Sequence, residues 1–179
     1  MPAGPASGAG RHSVGFCQSE AVEARSCRWR DGRPTDLGGR GSRSAVGINN
    51  RSQVIGEHYI GDTIRAFLWQ RGRQTDLGTL GGADAVAADL NERGQVVGWA
   101  SPGWSFRWRA GVRTEFAGSV GDLNEKGWIG GTEAGRSFLL RDGRRIVGDP
   151  ATAVMRLNER GRLVGWWDGP GGHHATLWK

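Results

Sequence analysis

The side chains best suited to chemistry lie near the end of the chain, where Asp168 precedes His173 and His174 by a few residues. A carboxylate and two imidazoles can ligate a metal or act as an acid–base pair, provided they converge on one point. Adjacent residues on an extended segment point to opposite sides, so the two histidines cannot both face Asp168 from a strand. No second Cys pair or regular His spacing completes a zinc site, and no glycine-rich loop opens a helix to cradle phosphate. The residues define no reaction, no cofactor and no metal centre.

A second group is richer. Tyr59, Trp99, Trp104, Trp166, Trp167, His173 and His174 fall in segments read as loops, beside turn-forming Pro102-Gly103 and Gly169-Pro170-Gly171-Gly172. Exposed Trp and Tyr offer flat apolar area with a hydrogen-bonding edge, suited to sugar rings or a protein surface. These seven are the candidate ligand-binding residues.

The elements that must position them repeat. Ala45 to Gly82 is the fullest copy of a unit of four short strands, expected at Ala45–Ile48, Gln53–Gly56, Ala66–Trp69 and Arg73–Leu77. Its first turn recurs as Asn91-Glu92-Arg93-Gly94, Asn124-Glu125-Lys126-Gly127 and Asn158-Glu159-Arg160-Gly161, with Asn49-Asn50-Arg51-Ser52 as the variant. Asn suits the first turn position because its side chain hydrogen-bonds the backbone ahead, and Gly suits the left-handed position that follows. The turn Asn residues are 42, 33 and 34 residues apart, a blade-sized period.

Seven residues after each turn Asn stands Gly56, Gly98, Gly131 or Gly165, with Gly15 in register, which implies close backbone approach. Third strands carry Cys27 with Trp29, Phe67 with Trp69, Phe106 with Trp108, Phe138 with Leu140, and Thr176 with Trp178. Residues two apart on a strand share a face, so these pairs are expected to form the core between neighbouring units. Asp31-Gly32, Arg71-Gly72, Ala110-Gly111 and Asp142-Gly143 then predict tight hairpins.

Composition agrees. With 32 Gly, 9 Trp and no long helical periodicity in 179 residues, short strands and turns dominate. No apolar run reaches the roughly 18 residues of a membrane span. The formal charge of +6 comes almost wholly from Arg spread over every repeat, with no basic stripe to mark nucleic acid. Cys17 and Cys27 leave a disulfide open. Met1 to Gly10 reads as a flexible lead-in without signal-peptide character, and residues 11–179 as a single β-repeat domain, with units at about 11–41, 42–84, 85–118, 119–152 and 153–179.

Leu90-Asn91-Glu92-Arg93-Gly94-Gln95-Val96-Val97-Gly98, Ala66-Phe67-Leu68-Trp69 and Asp76-Leu77-Gly78-Thr79-Leu80-Gly81-Gly82 together resemble the HAF repeat family. The resemblance runs over about residues 11–179, although the namesake His-Ala-Phe triplet is intact nowhere: Arg65-Ala66-Phe67 replaces its His and His174-Ala175-Thr176 its Phe. It implies a bacterial β-repeat scaffold with an extracellular setting and supplies no catalytic residues.

The expected fold is all-β: four-stranded antiparallel meanders arranged like about five β-propeller blades, the first and last incomplete. An open β-repeat array or a fragment of a larger propeller are the alternatives. The expected function is a non-enzymatic binding or interaction module for a glycan or protein surface. A propeller-type hydrolase or lyase at the loop face, and anion or nucleic-acid binding through the arginines, are the rival readings.

Overall fold

The structure, a computed structural model, describes residues 13–18, 24–37, 43–79 and 81–178. The proposed lead-in, 1–10, lies outside them. Eighteen strands and no helix are present among the described residues. They form five antiparallel sheets in strict chain order. The first holds β1 (Ser13–Gln18), β2 (Ala24–Arg30) and β3 (Arg33–Asp36). The second holds β4 (Arg43–Ile48), β5 (Val54–Ile60), β6 (Thr63–Gln70) and β7 (Arg73–Asp76). The third comprises β8 (Ala85–Leu90), β9 (Gln95–Ala100), β10 (Trp104–Arg109) and β11 (Val112–Phe116). The fourth comprises β12 (Ser119–Leu123), β13 (Ile129–Glu133), β14 (Arg136–Arg141) and β15 (Arg144–Pro150). The fifth ends with β16 (Ala153–Leu157), β17 (Leu163–Gly169) and β18 (Gly172–Trp178). The protein is thus an all-β repeat of three- and four-stranded meanders, the layout of propeller blades.

The chain divides into two compact units, Met1–Ala87 and Ala88–Lys179, with the boundary inside β8. In the first unit Leu37, Val54, Phe67 and Trp69 form the core, with Val14, Ala45 and Ile48 against them. These residues come from both the first and second sheets. In the second unit Val97, Leu123, Ile129 and Phe138 make one layer, and Trp128, Val154, Leu157, Leu163 and Trp178 another. Of the third-strand pairs expected to pack, Cys27, Phe67, Phe106 and Phe138 are fully or almost fully buried and Trp69 and Trp178 nearly so, whereas Trp29, Trp108, Leu140 and Thr176 are only half-buried.

Local chemistry explains the turns. Asn91 Oδ1 accepts from the amides of Arg93 (3.1 Å) and Gln95 (3.0 Å), while Gly94 takes a φ of +73°. Asn124 and Asn158 close their turns identically, with Gly127 and Gly161 at +82°. Ser52 occupies the same left-handed position at +59°, a strain of about 1 kcal/mol that glycine avoids. At Asp31-Gly32, Arg71-Gly72, Ala110-Gly111 and Asp142-Gly143 both residues have positive φ, the type I′ geometry that matches strand twist.

The recurring Gly is a contact point, as expected. A Cβ on Gly56 would lie 2.2 Å from the Ser44 carbonyl oxygen and 2.8 Å from the Phe67 ring, and Gly131 is equally crowded by Ser119 and Phe138. Cys17 and Cys27 form a disulfide between β1 and β2.

Candidate functional site

The first strands of the second unit are laced by side chains that bond one repeat to the next. Asn91 Nδ2 donates to Gln95 Oε1 (2.7 Å) and to the Asn124 carbonyl (3.0 Å), and Asn124 Nδ2 donates to the Asn158 carbonyl (3.1 Å). Two residues before each Asn, Asp89 Oδ2 accepts from the Leu123 amide (2.9 Å) and Asp122 Oδ2 from the Leu157 amide (2.6 Å). Glu125 and Glu159 accept from the amides of Glu92 and Glu125. Every polar group named here is matched inside the fold, so the lacing is structural.

It carries one electrostatic conflict. A protonated Asp122 donates to the Asp89 carboxylate, and an ionised Asp122 is repelled by it. Burial first, and then this neighbour, push the Asp122 carboxyl up to about 6, against the pull of the Leu157 and Leu123 amides. Arg156, on the strand that supplies the Leu157 amide, directs its guanidinium to the Met155 carbonyl (2.8 Å).

The seven candidate binding residues lie in strands, contrary to the loop assignment. Tyr59 is in β5, Trp99 in β9, Trp104 begins β10, Trp166 and Trp167 are in β17, and His173 and His174 are in β18. Second and third strands run further than their apolar cores because their backbones continue pairing until a short turn, such as Gly61-Asp62 or Pro170-Gly171. Such pairing satisfies backbone groups that an irregular loop would leave to water.

Strand placement decides which side chains meet. Trp99 pairs with Ser105 and Trp104 with Ala100, and directly opposed residues share a face. The two tryptophans therefore stand on opposite faces of one hairpin, 45% and 47% exposed. Tyr59, 43% exposed, belongs to the other unit.

The β17–β18 hairpin brings four candidates together. Trp167 opposes His174, and their rings stack with centroids 5.1 Å apart. A Cβ on Gly169 would sit 2.2 Å from the Trp167 indole, so glycine is what lets the ring lie over its own strand. His174 Nε2 donates to the Pro170 carbonyl at 3.0 Å, fixing the imidazole against the turn.

On the other face, Trp166 is followed by Asp168, which opposes His173. His173 Nδ1 donates to Asp168 Oδ1, and the Thr152 hydroxyl donates to Asp168 Oδ2 at 3.0 Å. The Asp168 amide returns a bond to Thr152 Oγ1 at 2.9 Å. The two histidines thus face opposite ways, and only His173 joins the carboxylate.

Thr152 also lines a cleft of about 560 Å³ between β12 and β16, together with Ser119, Thr132 and Arg156. Sequence reasoning missed Thr152, because a lone Thr before a strand carries no signal of a partner 16 residues away. No cluster of three or more metal-ligating side chains occurs among the described residues. Neither a family model nor a curated protein matches the chain.

Proposed function

We propose that the chain is a non-enzymatic binding module that takes a polyhydroxylated ligand, a glycan first and a protein surface second, at the β17–β18 hairpin. One observation carries this reading: the Thr152 hydroxyl joins the exposed Asp168–His173 pair to a cleft of about 560 Å³. That volume is within the usual range of ligand sites, roughly 300–1,000 Å³. A carboxylate held by His and Thr accepts hydroxyl bonds without having to reorganise, and Trp166 on the same face supplies apolar area for a sugar ring.

Binding is favoured over hydrolysis or lyase chemistry because the His173 side chain is 81% exposed. A general base gains its reach from a walled, water-poor site, and the Thr152 hydroxyl bonds the carboxylate instead of the imidazole.

The Cys17–Cys27 disulfide supports an oxidising compartment, and with it the extracellular setting that resemblance to HAF repeats implies. Binding to a printed array of neutral and acidic oligosaccharides at low and high salt tests the reading. Retention of neutral glycans at high salt supports it. Signal that follows ligand charge and disappears with salt places the ligand on the arginine surface instead.

A further inference from the structure

A separate cleft of about 220 Å³ lies between the fourth and fifth sheets, lined by Leu139, Arg141, Ile146, Arg160, Leu163 and Trp178. Trp178 is 4% exposed, and its indole Nε1 is buried and meets no acceptor among the described residues. A buried N–H without a partner is rare in a native fold, because the lost water bond is not replaced. An acceptor in the adjoining cleft resolves it.

The surroundings define that acceptor. Arg160, in the exposed Asn158–Gly161 turn, and Arg141, whose guanidinium stands 4.2 Å from the Trp128 ring, bring positive charge to the cleft. Arg141 is held only loosely by Asp142, at 3.4 Å on an exposed edge. Guanidinium groups favour carboxylate through paired N–H donors. Most of the remaining wall, Phe138, Leu139, Ile146 and Leu163, is apolar, and the Ser137 hydroxyl that also lines it is spent on the Asp149 carbonyl, so the charged end must carry an apolar body. A cleft of 220 Å³ matches roughly seven water volumes of about 30 Å³ each, room for a small molecule and not for a polymer.

We propose that this cleft binds a small organic carboxylate with an apolar body, its carboxylate accepting from Trp178 Nε1 and the arginines. The site is independent of the β17–β18 glycan reading.

The test is a titration of the ¹⁵N-labelled full chain with sodium benzoate, and with benzamide as the neutral comparator. The Trp178 indole N–H resonance, assigned through its own ring and backbone connectivities, is expected to shift saturably with benzoate and not with benzamide. Arg160→Gln, in an exposed turn, should weaken benzoate by about tenfold or more while leaving the rest of the spectrum in place. An unmoved Trp178 resonance overturns the proposal, as does an equal response to benzamide. So does an Arg160→Gln variant that binds benzoate as tightly as the parent.

Discussion

The side-chain amide of Asn91 donates to the main-chain carbonyl of Asn124 at 3.0 Å, across 33 residues of sequence. The same side chain folds its own turn, through the two amides that its Oδ1 accepts. A short carboxamide is suited to both tasks, having an acceptor for the turn and donors left over for the neighbour. Asp would keep the first function and lose the second. The repeat is thereby fixed locally and sideways by one residue type.

Asn91→Ala removes that residue from a site 2% exposed and leaves buried amides unpaired, so it should destabilise the second unit by about 2–4 kcal/mol. Asn158→Ala, where the side chain is exposed, should cost about 1 kcal/mol. Urea unfolding of the two variants compares them. Equal losses would remove the sideways bond from the account of stability.

Stability should fall with rising pH through Asp122. Its carboxyl titrates at about 6 in the fold, above the usual 3.8, so the protonated form is favoured by folding. That stabilisation is complete below pH 3.8 and is lost as pH rises through about 6. Asp122→Asn keeps a neutral side chain able to donate to Asp89 and to accept the Leu157 amide. It should gain in melting temperature over the parent at about pH 7.5, with the gain shrinking toward about pH 4. Parallel melting profiles for the two proteins would show that Asp122 does not titrate in this window.

Gly131→Ala should be costly because the new Cβ would fall 2.3 Å from the Ser119 carbonyl oxygen and 2.5 Å from the Phe138 ring. A loss of about 3 kcal/mol is expected, at the upper end of overpacking costs. Gly143→Ala, at a φ of +77° with open space around it, should lose only about 1 kcal/mol. Thermal melts rank the two, and a reversed order would contradict close approach as the reason for the recurring glycine.

What the sequence disclosed was local. The Asn-x-x-Gly turns, the paired turn residues such as Asp142-Gly143, and the buried Phe67, Phe106 and Phe138 follow from spacing and residue type, and the structure has them all. Strand ends did not follow. Arg43 and Ser44, and Glu57 to Ile60, carry no consistent apolar alternation, yet they pair because a hairpin continues for as long as its backbones can bond. The extra residue in β12 between Val120 and Asp122 is Gly121, a type that marks bulges, but the same shift falls at Val46 in β4 and Met155 in β16, where no glycine marks it.

The site was legible as a set of residues and not as an arrangement. Trp99 and Trp104 stand five residues apart among the candidate binding residues, and only the pairing of Trp99 with Ser105 reveals that they lie on opposite faces. Conversely, the opposed directions of His173 and His174 follow from strand geometry alone, and the structure shows them bonded to Asp168 and stacked on Trp167 respectively. Thr152 entered only through a tertiary contact.

The proposed glycan site is tested most directly by the double substitution Trp166→Ala, His173→Ala, which removes the ring and the imidazole that share a face with Asp168. Affinity for the tightest-bound neutral oligosaccharide of the array should be measured by calorimetry alongside a thermal melt of the same samples. The expected result is a loss of affinity of about 30-fold or more, with a melting temperature within about 5 °C of the parent, a shift that corresponds to roughly 1 kcal/mol. Undiminished affinity in the folded double variant would contradict a ligand site on the β17–β18 hairpin.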